Sequence, residues 1–308
     1  MAADSAWPDL PLAEWQDTYA TLHMWTQIVG KTRLALAPMQ NHWWQAALYV
    51  TVRGLTTSPI PNGTSTFSVD FDFVGHQLLV RTSDGTTRTL ALTARPVADF
   101  YAEYLAALHS LGIEARFKPS PSEVVTAIRF DEDRAHASYD ADAAQRWWRI
   151  LAQADRVLKR FGGRFLGKAS PVHFFWGSFD LAATRFSGRP APRHRGGAPN
   201  CPDYVMVEAY SHECSSCGFW PGGGAIDEPA FYSYAYPQPQ GYEHQRVLPA
   251  GVRYSEQAGE FILPYAAIRG APDPEEKLLQ FLQSAYEAAA DLGHWDRAAL
   301  DRPPRQWP

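Results

Sequence analysis

Cysteine is scarce in this chain: three of 308 residues, Cys201, Cys214 and Cys217. So small and odd a number excludes a disulfide-stapled secreted scaffold and fits a reducing compartment. Long apolar runs are missing too. No stretch approaches ~18 uninterrupted apolar residues, so no membrane-spanning helix is expected. The segment Met1–Pro8 has neither the basic nor the apolar part of a secretory leader. Positive charge is not in excess either: the net charge of −5 and pI near 6.1 argue against a nucleic-acid binder. These absences point to a cytoplasmic protein without a nucleic-acid or membrane partner.

Aromatic residues are abundant instead, with 11 Trp, 14 Tyr and 16 Phe. Such a set serves either bulky core packing or a ligand surface of flat rings. Apolar residues make up 45% and charged residues 20%, a globular balance. A chain of this length buries roughly 75% of its unfolded surface and needs neither disulfide nor metal to fold.

Helical spacing of Trp15, Tyr19, Leu22, Ile28 and Val29 predicts a helix over 12–30, with Gly30 as its stop. His42-Trp43-Trp44 opens an apolar run to Val52 that reads as a strand. Thr66 to Phe73 sets Phe67, Val69, Phe71 and Phe73 against Ser68, Asp70 and Asp72, a half-buried strand. Leu78–Thr82 and Arg88–Leu92 flank Ser83-Asp84-Gly85, a hairpin with Asp-Gly turn chemistry. Pro96 then opens a helix striped by Val97, Phe100, Tyr104 and Leu108 and capped by Gly112.

A Pro- and charge-rich stretch follows, and the order resumes. A helix is expected over Asp142–Phe161, stopped by Gly162-Gly163. Strands are expected over Pro171–Phe186, Tyr204–Tyr210, Phe231–Tyr236 and Glu260–Ile268. Asp273-Pro274 open a last helix ending at Leu292-Gly293. The two closing helices match at a constant offset of 181 (Val97 on Leu278, Gly112 on Gly293), while His42 and His173 are 131 apart. The surplus in the second half falls in Ser187–Pro202, Cys214–Pro229 and Pro237–Gly251, read as loop insertions of the kind that carry function.

The expected fold class is therefore α+β: two similar helix–antiparallel sheet–helix halves packed around a shared cleft. An arm (1–11) precedes the first half (12–113); a connector (114–140) leads to the second half (141–295) and a tail (296–308). An internal duplication accounts for the repeated order; a chance match of α+β grammar accounts for it equally.

Four motifs carry a resemblance: Thr21-Leu-His-Met-Trp25; Asn41-His-Trp-Trp44 with Arg53-Gly-Leu-Thr56; Ser170-Pro-Val-His-Phe-Phe-Trp-Gly-Ser-Phe-Asp180; and Ser211-His-Glu with Cys217-Gly-Phe-Trp-Pro-Gly222. Over nearly its whole length the chain resembles a bacterial family known only as a domain of unknown function. The resemblance implies a bacterial cytosolic protein and carries over no reaction, cofactor or catalytic residue.

Standard catalytic signatures are missing. Gly30-Lys31-Thr32 lacks the upstream glycine of a phosphate-binding loop, and Gly222-Gly-Gly224 sits in a Pro-rich loop rather than after a strand. Gly177-Ser178 lacks the second glycine of a nucleophile elbow. His173 and Asp180 lie seven apart in an aromatic stretch, and a bulge at Gly177 would bring them to one face. An imidazole and a carboxylate amid rings have shifted pKa values that suit proton transfer; the plainer reading is two hydrogen-bonded core residues.

His212 and Glu213 beside the glycine-rich loop form a second candidate acid–base pair. His212, Cys214 and Cys217, with Cys201, have the donor types of a divalent metal site such as zinc, although the Cys201–His212 spacing fits no common zinc pattern. Cys214/Cys217 as a redox pair lacks a helix N-terminus, and plain loop cysteines remain the third reading. Arg185, within a basic cluster that includes Arg189, Arg193, His194 and Arg195, is a candidate anion holder. His23 and Lys31 share a helix face.

The candidate catalytic residues are thus His173, Asp180, His212 and Glu213. His42, Trp43, Trp44, Arg53, Trp176, Arg185 and Trp220 are the candidate ligand-binding residues. The function these suggest is a small-molecule enzyme using acid–base chemistry in an aromatic cleft. The alternatives are a non-catalytic small-ligand binder and a structural or oligomerisation protein. His173→Ala is expected to cost activity more than stability.

Overall fold

The computed structural model describes residues 6–224 and 226–303; the first five residues of the expected arm, the last five of the expected tail and Ala225 lie outside it. The fold is α+β with two antiparallel sheets. The first half opens with α1 (Leu12–Leu36) and a short 3-10 helix over Asn41–Ala46. Its strands are β1 (Tyr49–Val50), β2 (Gly54–Thr56), β3 (Ile60–Asn62), β4 (Ser65–Asp72), β5 (Gln77–Thr82) and β6 (Thr87–Ala91). They lie in the order β1-β2-β4-β5-β6, with β3 also pairing β4, and α2 (Val97–Ser110) closes the half.

The second half starts with α3 (Ala141–Gly162). The strands β7 (His173–Phe175) and β8 (Asp180–Pro190), the helix α4 (Asp203–Ala209), and the strands β9 (His212–Trp220), β10 (Ala230–Tyr236), β11 (Arg253–Ser255) and β12 (Glu260–Pro264) follow it. The sheet order is β11-β12-β10-β9-β8-β7, and α5 (Tyr265–Arg269), α6 (Pro274–Leu292) and α7 (Arg297–Leu300) end the described chain.

Local chemistry explains the long helices. The Asp140 carboxylate caps α3 by accepting from Ala143 N–H, and Asp273 caps α6 by accepting from Glu276 N–H, with Pro274 in the first turn. Along α3, Trp147, Ile150, Leu151, Ala154, Val157, Leu158 and Phe161 repeat every three to four residues and are all buried. The alternation in β4 holds: Phe67, Val69 and Phe71 are buried between half-exposed Ser68 and Asp70. The two sheets meet at a seam where Leu48 N–H donates to Phe174 C=O at 2.9 Å and Phe174 N–H returns the bond at 2.8 Å.

Five elements differ from expectation. The strand expected over Glu260–Ile268 stops at Pro264, which caps the helix α5. Helix α1 runs through Gly30 to Leu36, because Gly30 is a packing glycine and not a stop: Trp176 lies against it. His42 and Trp43 both have positive φ (59° and 63°), so the run expected as a strand from Trp43 bends into a 3-10 turn and strand pairing begins only at Leu48. The expected strand over Tyr204–Tyr210 is the helix α4, whose first turn follows Pro202 and holds Asp203. The Cys214–Pro229 segment is not wholly an insertion: its first part is β9, flanked by β8 and β10 inside the sheet.

Candidate functional site

A cavity of about 800 Å³ lies on one face of the second sheet. Strand alternation decides what faces it. Asp180, Ala182, Thr184 and Phe186 of β8, Cys214 and Ser216 of β9, and Tyr232 and Tyr234 of β10 form its floor. Leu181, Phe219 and Phe231 point the other way into the core. The walls come from α1 (Lys31, Leu34), the 3-10 turn (His42, Trp43, Trp44), Phe117 to Glu123, and the 200–210 segment with α4. Phe175 and Trp176 complete a lining that is mainly apolar with a few convergent polar groups, the usual composition of a small-molecule site.

Asp180 is the polar centre of the floor. Its carboxylate accepts hydrogen bonds from Ser178 Oγ and Tyr232 OH. Burial pushes its pKa up, and the two donors pull it back only in part. Gly218 makes this possible: a Cβ there would sit 2.6 Å from the Tyr232 hydroxyl and 2.0 Å from Leu181 C=O. Beside it, Tyr210 and Tyr234 share a hydroxyl–hydroxyl bond of 2.7 Å, and Thr184 and Ser216 one of 2.9 Å.

Glu123 enters from the opposite wall. A Cβ on Gly177 would lie 2.2 Å from its carboxylate, so only glycine leaves room. Glu123 is exposed at the cavity, with Gly177 packed close against its carboxyl. Burial pushes its carboxyl up to about 7; the Asp180 carboxyl adds to the rise and Lys31 opposes it. Lys31 donates to Ser122 Oγ at 2.9 Å and stands over the Trp176 ring at 5.4 Å. Burial lowers its ammonium to about 8.

One face of α1 arranges this wall. The side chain of Gln27 clamps Ser122, accepting from its N–H at 2.7 Å and donating to its C=O at 2.9 Å. His23 Nε2 lies 2.9 Å from Gly177 C=O, and burial lowers its pKa to about 4. His23, Gln27 and Lys31 are spaced four apart, so a single helix face ties both loops to the cavity.

The residues expected from the sequence divide. Asp180, His42, Trp43, Trp44 and Trp176 line the cavity. His42 Nε2 is 2.7 Å from the Lys168 ammonium and Nδ1 is 2.9 Å from Ala209 C=O. An ammonium only donates and a carbonyl only accepts, so the ring is neutral with its proton on Nδ1. Burial first, then Lys168, lowers its pKa. His212 meets His42 ring to ring at 5.8 Å but stands outside the lining.

His173 does not reach the cavity. It is 1% exposed, packed against Trp44, Tyr49 and Phe175, with neither ring nitrogen hydrogen-bonded to protein. Trp44 contacts both His42 and His173. Burial, then Arg33, lowers the His173 pKa to about 3. Glu213 is held in an ion pair with Arg189 at 2.6 Å and accepts from Ser187 Oγ at 2.8 Å.

Arg185 points to the opposite face of β8, boxed by Phe161, Tyr286 and Phe165, and donates to Phe161 C=O. Arg53 pairs with Asp72 at 2.8 Å in the first half. Trp220 packs beside Ile226, Tyr232 and Ile262, off the end of the cavity.

The metal reading is corrected by strand geometry. Cys214 and Cys217 are three apart on β9 and so face opposite sides: Cys214 lines the cavity, while Cys217 Sγ contacts Ala183 C=O in the core. Among the described residues no group of three or more His, Cys, Asp or Glu is placed to hold a metal ion.

Glu123, Tyr210, Tyr232 and Tyr234 were not singled out from sequence. The tyrosines had a signal: Tyr232, Tyr234 and Tyr236 alternate along one strand, giving it a hydroxyl-bearing face. Glu123 had none, since its Pro-rich segment has no periodicity.

The chain belongs to the family of unknown function DUF5996, whose model matches residues 7–302. No curated protein and no solved structure matches it. Among the described residues no helix is long and apolar enough to cross a membrane.

Proposed function

We propose that this cavity is the active site of an enzyme that converts a small organic molecule by acid–base chemistry, with Asp180 and Glu123 exchanging protons and Lys31 as the cationic partner. One observation carries the reading: two carboxyl groups with upward-shifted pKa values converge in one aromatic-walled cavity. A carboxyl raised to about 7, as at Glu123, gives and takes protons at physiological pH, and perturbed groups of this kind cluster at functional sites. Rings of Trp43, Trp44, Phe175, Trp176 and Phe186 would hold an apolar or aromatic body. The free cysteines suit a cytosolic location.

The common order of helix, antiparallel strands and helix, with the reciprocal Leu48–Phe174 pair at the seam, supports a duplicated origin. In that view the first half lends α1 and the 3-10 turn to a cleft floored by the second.

The test is untargeted mass spectrometry of a metabolite extract incubated with the protein. The expected result is depletion of one compound and appearance of its product, lost in Asp180→Asn and Glu123→Gln variants that melt like wild type. Turnover that survives both substitutions overturns the reading. A compound retained on the protein but never converted returns the cavity to a binding role.

A further inference from the structure

We propose that Cys201, Glu123 and Lys31 form a thiol acyl-transfer centre in one corner of the cavity, with Cys201 as nucleophile, Glu123 as its base and Lys31 facing the developing oxyanion. The substrate class is an amide or ester with an apolar or aromatic group. The inference rests on the cavity being an acid–base site and adds a covalent step to it.

Three separate segments are bound together to make this corner. Lys31 Nζ donates to Ser122 Oγ at 2.9 Å, one residue before Glu123. Glu123 N–H donates to Pro199 C=O at 2.7 Å, and Asn200 Nδ2 to Val124 C=O at 2.7 Å, so the strand of chain carrying Cys201 is stitched to the one carrying Glu123. All three side chains line the cavity.

The backbone is strained at this stitch. Glu123 and Asn200 both have positive φ, 62° and 52°. Non-glycine residues in that region are strained, and they cluster where function over-determines the conformation. Both residues lie at the point where the two segments are hydrogen-bonded to each other.

The three cysteines differ in a way that fits. Cys214 and Cys217 are buried, and burial pushes both thiols up to about 12. Cys201 is partly accessible. Its thiol is raised by burial and by the Glu123 carboxylate and lowered by Lys31, so it rests protonated beside both groups. Cys201 Sγ–H faces Pro202 C=O at 4.0 Å; a protonated thiol needs a base in the transition state, and in this proposal Glu123, across the stitch of residues 123–124 with 199–200, takes that part.

In the reaction Cys201 Sγ bonds to the acyl carbon while its proton passes to Glu123. The carbonyl oxygen takes the displaced electron pair and faces the Lys31 ammonium. Collapse breaks the bond to the amine or alcohol, which leaves with the proton from Glu123. Water, deprotonated by the same carboxylate, then attacks the thioester carbon. A carboxylic acid departs, and the proton returns to Cys201.

The experiment uses p-nitrophenyl acetate on the full-length protein, with peptide mass spectrometry to locate the acetyl group. The expected result is an acetyl thioester on Cys201, absent in Cys201→Ala, with release of p-nitrophenolate slowed on the order of 100-fold in Glu123→Gln and about 10-fold in Lys31→Met. If Glu123→Gln melts early, Glu123→Asp keeps the base and should give an intermediate rate. Iodoacetamide should label Cys201 well before Cys214 and Cys217.

Acetylation confined to lysines, or Glu123→Gln reacting as fast as wild type, overturns the proposal. An unmodified Cys201 alongside metabolite turnover that still needs Asp180 removes the covalent step and leaves the acid–base reading standing.

Discussion

The indole of Trp176 fills the space that a side chain on residue 30 would need: a Cβ on Gly30 would fall 2.2 Å from Nε1. The same Nε1–H donates to Ala46 C=O at 2.7 Å, so the ring is held on both sides. This contact packs α1 against the loop after β7 and sets one wall of the cavity.

Gly30→Ala should therefore destabilise the protein although alanine is the better helix former. The helix gain is about 1 kcal/mol, whereas overpacking costs about 1–3 kcal/mol. A loss of roughly 1 kcal/mol corresponds to a fall in Tm of about 2–4 °C. A melt at or above the wild-type temperature would show that Trp176 can swing away freely.

His173→Leu should leave stability at pH 7 within about 1 kcal/mol of wild type, because a ring with two unsatisfied nitrogens is exchanged for an apolar group. The pH dependence changes more. Burial holds the folded imidazole near 3 against 6.5 when unfolded. Between those values the unfolded chain binds more protons, so this contribution is complete above pH 6.5 and drains as pH falls, by up to ~1.4 kcal/mol per unit. The leucine variant should lose less stability than wild type between pH 6.5 and 4.5 in urea titrations; parallel curves would contradict the buried neutral ring.

How far the sequence reached depends on the kind of signal. Elements with strong periodicity or caps are legible: α3 with its apolar stripe, α6 with Asp273-Pro274, β4 with its alternating phenylalanines, and the hairpin at Asp84-Gly85. Local pattern misleads where tertiary contact decides. Gly30 has the look of a stop until Trp176 is in place, and His42-Trp43 has strand composition but a left-handed bend. The site is harder still. Asp180 and three tryptophans were found because they lie in conspicuous aromatic motifs, while Glu123 reaches the cavity only through pairing of residues 123–124 with 199–200. That contact joins segments remote in sequence, and no spacing rule encodes it.

Arg185→Met should be tolerated or mildly stabilising. The guanidinium is 2% exposed, its neighbours are rings, and burial lowers its pKa to about 10. Replacing a buried charge by an apolar side chain of similar reach is often neutral or favourable. Phe161 C=O keeps a partner in Arg164 N–H at 3.0 Å. Chemical denaturation should give a change within about 1 kcal/mol, whereas Arg185→Ala, which also opens a void, should cost about 2–4 kcal/mol. A loss of that size in the methionine variant would mean that the cation itself is needed.

The rate of p-nitrophenolate release should trace a narrow bell against pH. Glu123 must be ionised to act as base, and burial pushes its carboxyl up to about 7; Lys31 must stay protonated to face an oxyanion, and burial lowers its ammonium to about 8. Activity then rises through pH 7 and falls through pH 8, with apparent values that belong to the interacting pair. Asp180 and Lys118 flank that pair: Asp180→Asn should move the acid limb to lower pH by removing a like charge beside Glu123, and Lys118→Met should move the alkaline limb to higher pH by relieving Lys31. Lys31→Arg, whose guanidinium keeps its charge throughout, should abolish the fall at high pH while leaving the acid limb in place. An alkaline limb unmoved in that variant would place the second titration on another group and remove Lys31 from the reaction.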